Sequence, residues 1–287
     1  MEKTTSGWVN GMVGVAIFAG SLPATRVAVT SFNPTFLTCA RATIAALLGL
    51  TLLLLRRQPR PKITDIPYLA LSALGGVIGF PLLTALALQY ITSAHSIVFI
   101  GLLPLCTAIF AVIRGGERPR LPFWLFSLAG GAFVVGYALM GTGKASLQGN
   151  LLMLAAVVVC GLGYAEGARL SRSLGGWQVI SWSLVLSLPI MLPVALLTMP
   201  ASFAYVSTSA WIGLTYVSLF SMLLGFVFWY RGLAQGGIAA VGQLQLLQPF
   251  MGLSLAALLL HEHVNWTMLI VTVAAVICVI GAKKYAK

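Results

Sequence analysis

Two stretches of the sequence carry the same pattern and decide the fold: GLLPLCTAIFAVIRGGE at residues 101–117 and LLQPFMGLSLAALLLHE at residues 246–262. In each stretch a proline lies inside an apolar run and a glutamate follows at its end, as Pro104 with Glu117 and Pro249 with Glu262. Both residues recur at an offset of 145 (249 − 104 and 262 − 117). The chain is therefore predicted to be a duplicated unit, in which each pair marks a helix kinked by its proline and capped by a charge at its exit.

The composition predicts a polytopic membrane protein. Of the 287 residues, 59% are hydrophobic and only 8% are charged, and the mean hydropathy is +0.99, whereas soluble domains are about one quarter charged. Ten apolar runs reach the roughly 20 residues that cross a hydrocarbon core, and the first lacks the cleavage pattern of a signal peptide. The predicted spans 1 to 10 cover residues 8–27, 34–55, 66–89, 94–114, 121–141, 150–170, 177–198, 209–230, 238–260 and 264–282.

The distribution of basic residues predicts the orientation. The net charge is +12, but most lysines and arginines fall at span ends on one side of the ten-span topology. The other side has Arg26 and Lys144, with Arg41 inside span 2. The positive-inside rule then places both termini in the cytoplasm. The basic excess indicates orientation and contact with anionic membrane lipids, and we expect no nucleic-acid partner.

An odd number of spans per half predicts an inverted repeat. With five spans each, residues 1–143 and 144–287 enter the bilayer from opposite sides. Glu117 then lies at the cytoplasmic end of span 4 and Glu262 at the outer end of span 9, while Pro104 and Pro249 lie near the midplane. Antiparallel halves of this kind are typical of alternating-access carriers, whose substrate site lies at the interface of the halves.

The repeated pattern, Leu102-Leu-Pro104 to Gly116-Glu117 and Leu247-Gln-Pro249 to His261-Glu262, resembles the drug/metabolite transporter superfamily, specifically its ten-helix branch of two EamA domains. The resemblance covers essentially the whole chain, although His261 replaces the glycine of the family pattern. It implies an all-α membrane fold in which spans 1–4 and 6–9 surround a central cavity and spans 5 and 10 are peripheral. It also implies a secondary transporter of the inner or plasma membrane, since similar members mostly export amino acids and related metabolites.

Three prolines are candidate hinges: Pro104, Pro249 and Pro81 of span 3. Proline has no N–H, so the carbonyl one turn earlier, at Ile100 or Gln245 for the repeated pair, loses its usual donor. Such a carbonyl either binds a substrate's amino group or is satisfied by neighbouring helices and water. Because both copies keep the proline, we favour a structural hinge.

The halves differ in their amides. Span 9 carries Gln243, Gln245 and Gln248 where span 4 has apolar residues. Amides in a bilayer must face protein or water. Gln245 and Gln248 are three residues apart and share a face, so they are candidates for substrate binding or for interhelical hydrogen bonding. For Gln243 we expect interhelical hydrogen bonding.

Aromatic and histidine side chains extend the set of substrate-binding candidates. Phe18, Phe80 and Tyr164 are placed to line a cavity. His95 opens span 4 on the outer side and either titrates near neutrality or is a satisfied interfacial histidine. Trp229 and Tyr230 are expected in the interfacial aromatic belt, whose residues lie at the level of the lipid headgroups; these two lie at the predicted inner end of span 8.

Three charged residues in or near the spans have two interpretations each. Glu166, the one carboxylate inside a predicted span, forms an i, i+3 ion pair with Arg169 or serves as a proton or amine site. Arg26 and Arg41 lie towards the outer ends of spans 1 and 2. They either snorkel or pair structurally, for instance with Glu262, or they meet an anionic group of the substrate.

Several residue types predict packing instead of chemistry. The four cysteines lie inside spans without metal or redox spacing, and the histidines of His261-Glu262-His263 diverge on a helix end, so we expect no metal and no cofactor. Glycines of span 5 permit close helix approach within the bundle or in a homodimer; they are Gly130, Gly131 and Gly136.

The sequence therefore favours an exporter of small metabolites, most plausibly amino acids, that works by alternating access. The alternative is a proton-coupled exporter of drugs or lipophilic cations, which requires an uncompensated acid in the cavity. A membrane-embedded enzyme needs a cluster of catalytic groups, whereas the five acids of this chain are scattered over different elements. A channel lacks support because no filter-like loop or charge ring is present in the sequence.

Overall fold

The computed structural model describes residues 2–91, 96, 99–140, 146–260 and 266–286, and this part of the chain is helical with no β-strand. His95 and Glu262 lie outside the described residues. The α-helices, numbered in chain order, are α1 Glu2–Ala19, α2 Ser21–Ala28, α3 Pro34–Leu55, α4 Ile66–Ser72, α5 Phe80–Ala87, α6 Leu103–Gly115, α7 Leu121–Met140, α8 Leu147–Ser171, α9 Gly176–Leu197, α10 Thr208–Tyr216, α11 Gly225–Gly236, α12 Ile238–Gly242, α13 Gln248–Leu260 and α14 Trp266–Tyr285.

Six helical stretches within the described residues are long and apolar enough to cross a membrane. They are Thr4–Ala28, Pro34–Leu55, Ile63–Ala87, Leu147–Ser171, Gly176–Leu197 and Thr208–Gly236, and they coincide with predicted spans 1, 2, 3, 6, 7 and 8. Shorter apolar helices cover Leu103–Gly115 and Leu121–Phe133, within predicted spans 4 and 5. Helices α13 and α14 overlap predicted spans 9 and 10.

Local sequence explains where several helices begin. Asn33 accepts a hydrogen bond from the Thr35 N–H at 2.8 Å, and Pro34 follows as the first residue of α3. Ser207 accepts one from the Ala210 N–H at 3.2 Å at the start of α10. Asparagine and serine are preferred N-caps because their side chains satisfy an N–H that has no partner inside the helix.

In the part of the chain that the structure describes, five spans contain non-α segments or breaks. Span 4 is interrupted by a turn at Gly101 and Leu102, just before Pro104. Span 1 is broken at Gly20, between α1 and α2. Spans 3 and 8 contain π-helical segments, Ala73–Gly79 before Pro81 and Val217–Leu224, separated by 144 residues (217 − 73). Span 9 contains a 3₁₀ segment, Gln243–Leu247, just before Pro249. π segments often mark functional sites because they redirect the side chains that follow.

Glycines allow the closest helix crossings. A β-carbon added at Gly232 of α11 would lie 2.6 Å from the Gly11 nitrogen of α1, and one at Gly7 would lie 2.5 Å from the Gly236 nitrogen. Gly7 and Gly11, like Gly232 and Gly236, are four residues apart and share a helix face, so the α1 and α11 backbones touch. Gly130 packs within the chain, against Leu246 and Cys278, which supports the bundle interpretation of this span-5 glycine.

The structure corrects one expectation about aromatic residues. Trp229 and Tyr230 are fully buried, at 0% exposure, and do not lie in an interfacial belt. Trp229 packs against the backbone of α1 at Gly14, and the Tyr230 hydroxyl hydrogen-bonds the Ser72 hydroxyl at 2.8 Å. The glycine-lined contact draws α11 so close to α1 that these rings become part of the core. The four cysteines are free thiols, three buried and Cys106 half-buried.

The glycine contact predicts a sharp effect of a single methyl group. In Gly232→Ala the added carbon meets backbone that cannot move aside, and overpacking of this kind costs about 1–3 kcal/mol. Gly136→Ala is the matched control, since no described atom lies within 4 Å of its β-carbon and alanine gains up to about 1 kcal/mol over glycine in a helix. Melting of the detergent-purified variants, followed by size-exclusion fluorescence, should show a loss for Gly232→Ala alone. Equal melting temperatures would contradict the close approach.

Candidate substrate site

The break in the first span is held by side chains from other helices. Pro23, in the first turns of α2, has no N–H for the Ala19 carbonyl. Just before the break, the Ile17 carbonyl accepts a hydrogen bond from the Tyr216 hydroxyl at 2.7 Å, and the Phe18 carbonyl accepts a long one from Gln248 Nε2 at 3.5 Å. Backbone carbonyls that a broken helix leaves free must find partners inside a membrane protein. The break is thus a polar centre within an apolar fold.

A small cavity of about 10 Å³ adjoins this break, room for about one water molecule. It is lined by Ala19, Leu22, Ile100, Gln248, Pro249 and Gly252. Ala19 and Ile100 each precede a proline by four residues, Pro23 and Pro104, so their carbonyls lack the usual helix donor. The Gln248 Oε1 atom has no hydrogen-bond partner among the described residues. The cavity wall is mostly apolar, and the Gln248 Oε1 and these two carbonyls are its hydrogen-bond acceptors.

The glutamines predicted in span 9 are buried. Gln243 and Gln245 are 0% exposed and Gln248 is 7% exposed. No described residue hydrogen-bonds either amide atom of Gln243 or Gln245, so the interhelical hydrogen bonding expected for Gln243 is absent in this part of the structure. Leaving a buried polar group unpaired costs about 1–3 kcal/mol. Such groups call for a functional explanation.

A cluster of aromatic rings lies beside these amides. Phe18 contacts Tyr164 at 6.3 Å between ring centroids, Phe226 at 5.1 Å and Trp229 at 6.2 Å, and Tyr164 lies 5.5 Å from Trp229. The Gln245 amide lies near the Tyr164 hydroxyl, without the geometry of a hydrogen bond between them. The structure thus brings together the predicted Phe18, Tyr164 and Gln245.

The remaining described candidates lie at the edge of this region. Phe80 begins α5 directly after a π segment and packs, half-buried, against the group that contains Leu22 and Ile100. Pro81 is buried in the first turn of α5, and Pro104 in that of α6. Pro81 follows the π segment within one continuous helical stretch, Ile63–Ala87, so its missing N–H leaves a carbonyl of the preceding turn without its usual donor.

Arg41 is the least compensated charge of the site. It is only 5% exposed, which excludes snorkelling. Its Nη2 donates to the Ser221 hydroxyl oxygen at 3.1 Å, and the Ser21 hydroxyl donates to the same oxygen at 2.7 Å. The Nε atom of Arg41 has no partner, and no described carboxylate lies within ion-pair distance. Arg26, in contrast, is exposed and donates to the Leu88 carbonyl at 2.6 Å.

Glu166 lies between two guanidinium groups. It is fully buried in α8 and forms a short ion pair with Arg114 Nε. Arg169 Nε lies 3.5 Å from its other oxygen, at the predicted i, i+3 spacing, and the Arg169 guanidinium lies 4.1 Å from the centre of the Tyr68 ring. The pairing with Arg114 was not anticipated from sequence. With two cationic neighbours, Glu166 is a compensated carboxylate.

Glu117 caps a helix other than its own. Its carboxylate accepts hydrogen bonds from the Ile238 and Ala239 N–H groups at 2.8 Å each and from Arg172 Nη2 at 2.9 Å. The prediction that it caps the exit of its own helix is therefore wrong. A negative charge is unfavourable at a helix C-terminus and favourable at an N-terminus. Gly116, at φ 67°, turns the chain away after α6 so that the carboxylate reaches the first turn of α12.

Three polar residues of the site were missed by sequence reasoning: Ser21, Tyr216 and Ser221. The run Gly20-Ser-Leu-Pro23 is a helix-breaking signal that was available to identify Ser21. Ser221 lies in the π segment Val217–Leu224, whose apolar sequence gives no sign of non-α geometry. Its direction towards Arg41 follows from tertiary structure.

Comparison with known proteins agrees with this architecture. The fold and its apolar helices define a multi-pass α-helical membrane protein. Residues 5–140 and 147–282 each match the EamA-like transporter family, so the chain belongs to that family, a branch of the drug/metabolite transporter superfamily. It is a transporter of the plasma membrane and not an enzyme.

Two curated relatives and one solved structure are informative. The chain is 62% identical over 287 residues, covering 100% of both proteins, to the uncharacterized transporter YdeK of Bacillus subtilis (strain 168). It is 24% identical over 256 residues, covering 86% of this chain and 83% of the relative, to a probable terminal-alkyne amino-acid exporter of Streptantibioticus cattleyicolor. A solved crystal structure with 20% identity aligns over 98% of both chains with a TM-score of 0.78, which supports the fold.

The Glu117 contact generates a stability prediction. Glu117→Ala removes the acceptor of two helix N–H groups and of Arg172, and hydrogen bonds to charged groups contribute about 1.5–3 kcal/mol each. We expect a melting temperature several degrees lower, with a smaller loss for Glu117→Gln, which keeps one acceptor oxygen. Asp65→Ala is the control, since Asp65 makes no side-chain hydrogen bond at the start of α4. Equal melting of the Glu117→Ala and Asp65→Ala proteins would show that the contact does not stabilise the fold.

Proposed function

We propose that the chain exports small metabolites, most plausibly amino acids, across the cytoplasmic membrane by alternating access around a central site at the break in the first span. The observation that carries this proposal is the polar character of that site. It contains glutamine amides, backbone carbonyls whose usual helix donor is replaced by proline, and one buried guanidinium. The buried carboxylate of Glu166, in contrast, is already paired with Arg114 and Arg169. Groups of both donor and acceptor kind suit a zwitterion. The name of the amino-acid exporter relative points in the same direction.

The transport cycle rests on a proposed topology. Ten spans form two inverted halves, residues 1–143 and 144–287, with both termini in the cytoplasm. Support comes from the two family matches, residues 5–140 and 147–282, and from the π segments Ala73–Gly79 and Val217–Leu224 at corresponding positions of the halves. The proline-associated breaks act as hinges in this proposal, and the halves rock about the cavity beside Gln248 and Pro249.

Export of lipophilic cations is the second candidate, and the electrostatics disfavour it. A cation carrier needs a carboxylate that is free to meet its substrate. Among the described residues, Glu117 and Glu166 are engaged by arginines. Among the described residues, the buried charge without a partner of opposite sign is that of Arg41. Its positive charge repels a cation.

Counterflow tests the proposed function. Proteoliposomes loaded with an unlabelled mixture of amino acids should take up labelled amino acids from outside, with and without a pH gradient. Protein-free liposomes and the Glu117→Ala protein serve as controls for leak and for the effect of lowered stability. Movement of a lipophilic cation such as tetraphenylphosphonium, without movement of any amino acid, would overturn the proposal.

Replacing the buried glutamines should change melting temperature and transport differently. Gln245→Leu replaces a buried amide that has no hydrogen-bond partner among the described residues, so this variant should melt at the same or a higher temperature. Gln248→Leu removes the long hydrogen bond from Nε2 to the Phe18 carbonyl, so it should melt at the same or a slightly lower temperature. If these amides bind substrate, counterflow should nevertheless fall about tenfold, the value of one neutral hydrogen bond of about 1–1.5 kcal/mol. Gln178→Leu, half-buried at the start of α9, is the control and should keep full counterflow. Unchanged transport in both site variants would remove the glutamines from the site.

A further inference from the structure

The strongest unexplained feature of the interior is the guanidinium of Arg41. The side chain leaves the first half of α3 and is only 5% exposed. Among the described residues, its one hydrogen-bond partner is the Ser221 hydroxyl. An arginine inside a membrane protein normally pairs with a carboxylate or reaches the interface, because removing an uncompensated charge from water is costly. Neither solution is found among the described residues. A charge buried at such a cost suits a ligand of opposite sign, and Glu262, the carboxylate that the sequence offers as a partner, lies outside the described residues.

The hydroxyl groups around Arg41 hold it without neutralising it. Ser221 accepts hydrogen bonds from both Arg41 Nη2 and the Ser21 hydroxyl. Because its oxygen is used twice as an acceptor, the Ser221 proton remains available for donation. The Arg41 Nε–H is also without a partner. The cluster therefore presents a fork of N–H donors and one O–H donor, the arrangement that binds an oxyanion.

The charge of the cluster selects the kind of anion. Arg41 is the one basic residue in it, since Arg26 is exposed and bonded to the Leu88 carbonyl. One guanidinium balances a monoanion such as a carboxylate, whereas a phosphate dianion needs further positive charge. The planar fork of arginine also matches the two oxygens of a carboxylate.

The opposite chemistry lies close by along the same helix break. Ser21 of the cluster is adjacent in sequence to Leu22 of the cavity wall, and that wall offers the Gln248 Oε1 and the carbonyls of Ala19 and Ile100. These acceptors suit an ammonium group. Donors and acceptors on the two sides of one helix break thus match the two ends of an amino acid.

We propose that Arg41, oriented by Ser221 and Ser21, is the subsite that binds the carboxylate of the transported substrate. The proposal rests on the proposed function and deepens it, because it requires the substrate to carry a carboxylate. Arg41 then contributes specificity: it admits amino acids and other monocarboxylates and rejects their esters and the corresponding amines.

The test compares ligands that differ in the carboxylate alone. Purified wild-type protein is titrated with the proteinogenic amino acids, their methyl esters, the decarboxylated amines and 4-methylpentanoate, with binding followed by tryptophan fluorescence and thermal shift. We expect amino acids and 4-methylpentanoate to bind, and the esters and amines to bind at least tenfold more weakly. Arg41→Met should weaken carboxylate binding about 10- to 100-fold, as expected for a charged hydrogen-bonding partner.

Matched variants separate a binding role from a structural one. Arg41→Lys keeps the charge but loses the fork, so its affinity should lie between those of wild type and Arg41→Met. Ser221→Ala should weaken binding several-fold through loss of orientation, and it keeps the test decisive if Arg41→Met fails to fold. Arg26→Met removes an arginine outside the cluster and should bind all ligands as wild type does.

The possible outcomes distinguish a failure of the Arg41 subsite from a failure of the proposed function. Amino-acid counterflow with equal binding of acids and esters would overturn the subsite and leave the function standing. Absence of amino-acid counterflow, with 4-methylpentanoate binding that is lost in Arg41→Met, would overturn the function and support the subsite. If no carboxylate binds the wild-type protein, or if Arg41→Met binds as wild type does, the subsite proposal is wrong.

Discussion

The need to satisfy every polar backbone group inside a membrane governs this structure. An unbroken helix meets the requirement by itself, and α3 and α8 are regular for that reason. Where the chain breaks, at Gly20 and before Pro104 and Pro249, neighbouring helices must supply the missing partners. Tyr216 and Gln248 do so for two carbonyls of the first span. The polar centre of the molecule is a direct consequence of these breaks.

The same requirement applies more strongly to charged groups, and the charged groups of this molecule meet it in two different ways. On one side of the fold, Glu117 and Glu166 are enclosed by arginines and helix N–H groups. Near the break in the first span, the hydroxyl of Ser221 is the one hydrogen-bond partner of Arg41 among the described residues. Compensated charges hold helices together, whereas an uncompensated one remains available to a ligand. This contrast distinguishes the structural ion pairs from the candidate binding group.

Much of the architecture was predictable because it depends on local properties of the sequence. Hydropathy located the apolar helices, and proline chemistry located the breaks before Pro104 and Pro249. Phe18, Tyr164, Gln245 and Gln248 were candidates from sequence and lie together in the structure. Features that depend on contacts between distant segments were not predictable. Trp229 is in the core because glycines bring α1 against α11, and Glu117 reaches α12 because Gly116 adopts a left-handed conformation. Gly116 is adjacent to Glu117, but the helix that the carboxylate meets, and the glycines of α1 that meet Trp229, are far away in sequence.

The π segments have a mechanical consequence. A π turn pairs residues five apart instead of four, so it stores one extra residue within a helix. When such a turn shifts along the helix or relaxes to α geometry, each residue it passes turns by about 100° around the axis, the angle that 3.6 residues per turn imply. Ser221 lies within the second π segment. A one-residue change of register there would turn the Ser221 hydroxyl away from Arg41. The register of the π segment therefore determines which way this hydroxyl faces.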